Sequence, residues 1–136
     1  MKFLTLNNKE INVEVNAALF RPKNQEDCKS FGQYNLGRRI IDIFGESCVL
    51  LEEFPIPGER LFLDFLLLHY RIAFEFHGSQ HSTFNKFFHS TKQDFVSSIK
   101  RDTRKAEWCQ KNKIRLICID DPNISKQALE HIIQNE

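Results

Sequence analysis

Two acidic residues interrupt the most apolar part of this chain. The stretch 61–81 reads LFLDFLLLHYRIAFEFHGSQH, and Asp64 and Glu75 are its acids. Leu, Phe, Ile and Ala fill most other positions, so we expect both faces of the strands formed here to be covered by protein. A buried carboxylate needs a partner charge or a metal ion. Two of them on adjacent strands therefore predict a divalent-cation site.

The spacing around these acids suits phosphodiester hydrolysis. Glu75 and His77 are two residues apart, so their side chains share one face of a strand. Asp64 lies across a short turn and can approach Glu75. Carboxylates hold Mg²⁺ or Mn²⁺, which polarises a phosphate and lowers the pKa of a bound water. A third polar group on the same face then orients or deprotonates that water.

The surrounding pattern predicts an α/β fold, with a central mixed sheet (an antiparallel meander plus one further strand) flanked by helices. The predicted elements are a hairpin over 2–6 and 10–15, helices over 28–44, 93–112 and 124–134, and strands over 47–54, 61–68, 72–77 and 113–120. Segments 17–27 and 82–92 are predicted to be irregular. We expect one nuclease-like domain over 1–136, comprising an extension (1–27), a core (28–120) and a C-terminal helix (121–136).

The net charge of +1 conceals an uneven distribution. Residues 86–115 contain nine Lys and Arg against three acids, whereas the segment before Asp64 is acidic. A basic helix beside an acidic strand region suits a metal centre next to a polyanion groove. The candidate DNA-binding residues are Lys86, Lys100, Arg101, Arg104 and Lys105.

No apolar run in the sequence reaches membrane-spanning length without a charge, and the first ten residues lack a signal-peptide core. We therefore expect a soluble, cytoplasmic protein with no membrane partner. The four cysteines are scattered, with no CxxC pair, which predicts reduced thiols; zinc shared with histidines is the open alternative.

The order helix, strand, Asp64, Glu75-x-His77, helix, strand resembles the PD-(D/E)XK nuclease superfamily and its restriction-endonuclease-like core. His77-Gly78, then His81, then a basic helix with Arg101-Asp102 resembles more narrowly the very-short-patch repair endonucleases, a branch that includes the phage-associated EDxHD homing endonucleases. The similarity spans about 31–120. His77 stands where the superfamily usually has Lys.

This resemblance implies a Mg²⁺- or Mn²⁺-dependent DNA endonuclease encoded by a phage or mobile element and located in the host cytoplasm. Asp64 would be the central metal ligand, joined by Glu75. The residues implied or inferred to be catalytic are Asp64, Glu75, His77, His81, Asp102 and Gln33. Two of these depart from the repair branch, which has a glutamate near Gln33 and lacks a carboxylate at Glu75.

Several ordinary structural roles compete with these assignments. Asp64 could pair with Arg71, and Glu75 with Lys105. Asp102 could cap a helix or pair locally. At most one of Glu52 and Glu53 is expected to face the site, and Glu53 is the further metal candidate.

Two functions of other classes also remain open. One is a DNA-binding module that has lost cleavage, and the other is a phage structural or assembly protein on the same fold. For an enzyme this short, sequence specificity would come from homodimerisation, from a partner protein or from loops.

Overall fold

A four-stranded mixed sheet organises the chain in a computed structural model, which describes residues 1–78 and 92–135. The elements are β1 (Lys2–Leu4), β2 (Glu10–Asn12), α1 (Phe31–Phe44), β3 (Leu50–Pro55), β4 (Phe62–Leu67), β5 (Ile72–Phe76), α2 (Lys92–Lys111), β6 (Arg115–Ile119) and α3 (Lys126–Gln134). Short 3₁₀ helices occupy Ala17–Phe20, Gln25–Asp27 and Leu68–Tyr70. His81, Lys86 and nearly all of the predicted 82–92 loop lie outside the described residues.

The strands of this sheet lie in the order β3, β4, β5, β6. The first three pair antiparallel through short turns, and β6 pairs parallel to β5 after the α2 crossover. β1 and β2 form a separate hairpin. The predicted α/β class, with an antiparallel meander plus one further strand, is confirmed.

Apolar side chains cover both faces of the sheet. The α2 face is packed by residues that include Phe3, Leu51, Leu63, Ala73 and Trp108. The α1 and α3 face is packed by residues that include Leu36, Ile40, Phe65, Phe74 and Leu129. This double coverage explains why these strands read as nearly continuous apolar runs. No helix in the described part of the chain is long and apolar enough to cross a bilayer.

Helix α1 packs very closely on the strands that carry the acids. It begins after Ser30, whose hydroxyl accepts a hydrogen bond from the Gln33 N–H at 3.1 Å. A Cβ atom on Gly32 would lie 2.2 Å from the ring of Phe76 on β5. Glycine is therefore required for this approach, which brings the N-terminus of α1 to the Glu75 end of β5.

Asn112, directly after α2, fastens the N-terminal hairpin to the core. Its Oδ1 accepts from the Leu4 N–H at 2.8 Å, and its Nδ2 donates to the Leu4 carbonyl at 3.0 Å. The buried amide thus satisfies both backbone groups of a β1 residue, as a neighbouring strand would. The extension predicted over 1–27 shares the core through this contact and through Phe3.

The side chains of β3 and β4 switch from one face of the sheet to the other at one pair of positions. Leu63 packs on the α2 side, but Phe65 packs on the α1 side, although residues two apart share a face in a regular strand. On β3, Glu53 adopts a left-handed φ of 53°, and the pairing register is the same on either side. Asp64 therefore lies at a local distortion where the alternation of the sheet is broken.

Candidate active site

The carboxyl groups of Asp64 and Glu75 lie together between β4 and β5. Glu75 Oε2 accepts a hydrogen bond from the Asp64 N–H at 2.5 Å, and Asp64 Oδ2 accepts one from the Phe76 N–H at 2.8 Å. Both side chains are buried, with 8% of Asp64 and 2% of Glu75 exposed. Each acid is thus fixed by the backbone of the opposite strand, and the predicted convergence of these two residues is present.

The pKa values of Asp64 and Glu75 are shifted in opposite directions. Burial, followed by the charge of Glu75, raises the pKa of Asp64 to about 6. Burial also acts to raise the pKa of Glu75, but nearby His77 and Lys105 and the Asp64 N–H outweigh it and hold that pKa below its ordinary value. Glu75 is therefore the anchored anion, and Asp64 is the acid whose negative charge is less well compensated.

Two cations lie beside Glu75. The Lys105 ammonium is 2.7 Å from Glu75 Oε1. His77 Nε2 is 3.9 Å from the same oxygen and 4.0 Å from Asp102 Oδ1, distances of ion pairs rather than hydrogen bonds. Contact with Cys118, then with Glu75, raises the pKa of His77 to about 10. The neighbouring acids Glu75 and Asp102 thus favour the protonated form of His77.

These groups line a cavity of about 310 Å³. Its wall and floor are formed by Lys29, Ser30, Gln33, Asp64, Glu75, Phe76, His77, Gly78, Asp102 and Lys105. The N-terminus of α1 contributes the first three, and its partial positive charge adds to that of Lys29. The structure thus brings three further predicted catalytic residues to Asp64 and Glu75, namely His77, Asp102 and Gln33. The sixth, His81, lies outside the described residues.

The acid pair fits a hard divalent cation. Among the described residues no hydrogen-bond donor reaches Asp64 Oδ1, and Asp64 lines the cavity. Within the same part of the chain, no group of three or more His, Cys, Asp or Glu side chains forms a complete ligand set. Mg²⁺ is commonly held by one or two carboxylates and keeps several waters. Asp64 and Glu75 provide that number.

Glu52 and Glu53 are not among the described residues that line this cavity. Glu52 is 3% exposed and accepts hydrogen bonds from Gln33 Nε2 at 2.7 Å and the Lys23 N–H at 2.6 Å. Glu53 forms ion pairs with Lys23 and, at 3.4 Å, with Lys29. Glu53 is therefore neutralised by lysines of the preceding segment in this structure, and its assignment as a metal ligand stays a prediction.

The Glu52 contacts hold the segment before α1 against the sheet. Replacing Glu52 by Ala should lower the free energy of unfolding by about 2–4 kcal/mol, because the Gln33 amide and the Lys23 N–H lose a buried acceptor. The measurement is urea denaturation followed by fluorescence of Trp108, the single buried tryptophan. Glu14→Ala, at an exposed position, is the matched control and should change stability by less than about 0.5 kcal/mol.

Sequence reasoning missed three contributors to the site. Lys29 and Ser30 line the cavity because they immediately precede α1, and a serine at this position can mark in the sequence where the helix begins. Cys118 contacts His77 from β6. A parallel β6 beside β5, with Glu75 opposite Cys118, is what places this thiol there.

The candidate DNA-binding residues on α2 have different surroundings. Lys100 and Arg101 are exposed, whereas Arg104 forms an ion pair with Glu59. Lys105 pairs with Glu75, as the structural alternative anticipated. Arg71 donates to the Asn112 carbonyl at 2.9 Å, so the alternative in which Arg71 pairs with Asp64 is not what the structure contains.

Part of the chain is similar in sequence to a viral protein. No family model and no solved structure matches it. Over 63 residues the chain is 35% identical to "Uncharacterized protein 033L" of Invertebrate iridescent virus 3. The matched stretch is 46% of this chain and 32% of the viral protein, so the chain corresponds to about a third of that relative's length.

Proposed function

We propose that this chain is a Mg²⁺-dependent DNA endonuclease with a restriction-endonuclease-like core. The observation that carries the proposal is the buried Asp64–Glu75 pair at a cavity that the basic side chains of Lys29, His77 and Lys105 also line. Buried acids with perturbed pKa values that line a cavity are typical of functional sites. In such a cavity the two acids would hold a metal ion, and the basic side chains would bind the phosphodiester next to it.

The topology supports the same assignment. The order α1, β3, β4, β5, α2, β6 is the element order that the resemblance implies for the superfamily core. Asp64 is on the second strand of the meander and Glu75 on the third, with His77 directly after it. The positions expected for the two metal-binding acids of a PD-(D/E)XK site are therefore both filled by carboxylates.

Asp64 and Glu75 would hold the Mg²⁺, which when bound supplies the charge that polarises the scissile phosphate and acidifies a water. His77, which lies beside Glu75 and Asp102, would bind a phosphate oxygen in its protonated form. This electrostatic role differs from the one that the sequence pattern suggested for a third polar group on this face, which was to orient or deprotonate the water. Water activation is left to His81.

The exposed cations on α2 would bind the DNA backbone. Lys100 and Arg101 face solvent on the same helix that presents Asp102 and Lys105 to the cavity. Backbone contacts of this kind give strongly salt-dependent affinity without sequence information. Similarity to an iridescent-virus protein agrees with a viral gene. We further propose that the protein acts in the host cell and that a second copy or a partner protein supplies its specificity.

The test is cleavage of supercoiled plasmid and branched DNA with Mg²⁺, Mn²⁺ or EDTA. Wild type should nick DNA only with metal, and Asp64→Ala should abolish nicking because one of two metal ligands is gone. Asp42→Ala removes an exposed acid on α1 and should cleave like wild type. Nicking that survives Asp64→Ala would contradict the assigned site.

A DNA-binding module without cleavage is the second candidate. The 2.7 Å contact between Lys105 and Glu75 favours it, because a permanent internal ion pair would neutralise one of the two acids. Such a module would retard DNA in a mobility-shift assay equally with and without Mg²⁺, and it would leave every substrate intact. A protein that neither cleaves nor retards DNA would instead point to a structural or assembly role.

A further inference from the structure

Lys105 differs from the other cations predicted to bind DNA. Its side chain is only 17% exposed and its ammonium contacts the buried Glu75, whereas Lys100 and Arg101 on the same helix face solvent. Lys105 follows Asp102 by one helical turn, on the side of α2 that faces the cavity. The packing of α2 on the sheet thus places the Lys105 ammonium beside the acid pair.

Both oxygens of Glu75 are already engaged. Oε2 accepts the Asp64 N–H at 2.5 Å, and Oε1 accepts the Lys105 ammonium at 2.7 Å. Asp64 has one oxygen without a donor among the described residues, so a cation can approach that acid directly. To bind Asp64 and Glu75 together, however, a cation must share or take over the Oε1 position that Lys105 occupies.

We propose that the Lys105 ammonium is an exchangeable counter-ion, which Mg²⁺ displaces from Glu75 and which then binds a phosphate oxygen of the DNA. This inference rests on the proposed nuclease function. Before metal arrives, Lys105 keeps the buried acid compensated. After exchange, the same ammonium supplies positive charge at the cavity rim, where the resemblance leads us to expect a lysine but the sequence has His77.

The structure provides both room and a resting place for the displaced side chain. A second cavity of about 100 Å³ shares Glu75, His77, Asp102 and Lys105 with the first. Asp102 is three residues before Lys105 on α2, a spacing at which opposite charges interact. Asp102 is therefore a second carboxylate, on the same helix and at the same cavities, toward which the Lys105 side chain can turn.

The exchange has two opposite consequences for a variant lacking the ammonium. Lys105→Met should bind Mn²⁺ on the order of tenfold more tightly than wild type, since an adjacent positive charge weakens cation binding to a carboxylate as it weakens proton binding. The same variant should cleave on the order of 100-fold more slowly at saturating Mn²⁺, because a charge that stabilises the reacting phosphate is missing. A residue needed only for folding would not raise metal affinity.

The experiment is calorimetric titration of the metal-free full chain with Mn²⁺ in the absence of DNA, followed by plasmid nicking at saturating Mn²⁺. Lys105→Arg retains the charge and should keep the weak metal affinity of wild type. Lys126→Met, an exposed lysine on α3, is the matched control and should leave Mn²⁺ affinity unchanged. Circular dichroism and Trp108 fluorescence establish that each variant is folded before titration.

The outcomes separate this inference from the function on which it rests. Unchanged Mn²⁺ affinity in Lys105→Met, in a protein that binds metal and cleaves DNA, would overturn the counter-ion exchange and leave the nuclease proposal standing. Tighter metal binding with undiminished cleavage would overturn the phosphate role. Absence of Mn²⁺ binding by both wild type and Lys105→Met would overturn the metal site and the exchange together.

Discussion

Asp64→Asn should raise the free energy of unfolding of the metal-free protein at pH 7 by about 1–3 kcal/mol, even though it should abolish metal-dependent cleavage. Asp64 is 8% exposed, and burial together with the charge of Glu75 raises its pKa to about 6 from an ordinary value of 3.8. The ionised side chain is therefore disfavoured in the folded state. Asparagine retains an oxygen that can accept the Phe76 N–H and carries no charge.

The size of this effect changes with pH in a defined window. Between pH 3.8 and about 6 the folded protein binds more protons than the unfolded chain at this position, so rising pH through this window removes stability from wild type. Asp64→Asn does not lose stability in this way, so the difference between its free energy of unfolding and that of wild type should grow from pH 4 to pH 7. Urea denaturation in EDTA, followed by Trp108 fluorescence, measures both curves.

Asp42→Asn is the control for this prediction, since Asp42 is an exposed acid on α1 and the chemical change is the same. Its stability should follow wild type across the whole pH range. A variant Asp64→Asn that is less stable than wild type at pH 7 would contradict this prediction. It would mean that the Asp64 carboxylate stabilises the fold instead of costing stability.

The order of elements around the acids was predictable from local patterns. The helical pattern over 28–44 predicted α1, which begins at Phe31 rather than at residue 28 because the Ser30 cap fixes its start. Alternating and continuous apolar runs separated by short turns predicted the meander. Once two strands are joined by so short a turn they must pair antiparallel, which is why Asp64 and Glu75 could be expected to meet.

The details of the site depend on long-range packing that no local pattern contains. Strict alternation would place Leu63 and Phe65 on one face, but the left-handed backbone at Glu53 accompanies a change of face in both strands. Glu52 turns inward because a segment about thirty residues earlier provides the Lys23 N–H as a donor. Likewise, α2 could be predicted as basic, but only its docking shows that Lys105 faces the acids.

Glu75→Ala should act on stability in the opposite direction to Asp64→Asn, although the two acids are neighbours. Glu75 accepts the Asp64 N–H and neutralises Lys105, whose side chain is 17% exposed. Removing it leaves a largely buried ammonium and a buried N–H without their acceptor. The free energy of unfolding should fall by about 3 kcal/mol in the absence of metal.

Removing the stranded charge tests the cause of that loss. The double variant Glu75→Ala/Lys105→Met should recover stability relative to Glu75→Ala, because no uncompensated ammonium remains at the cavity, and a double-mutant cycle with Lys105→Met alone isolates the coupling between the two residues. Equal stability of Glu75→Ala and the double variant would mean that the loss comes from the Asp64 N–H or from packing. A large favourable coupling would identify Glu75 as the residue that holds Lys105 at the site. Together with the opposite effect of Asp64→Asn, it would mean that Glu75 stabilises the folded site while Asp64 remains available for a cation.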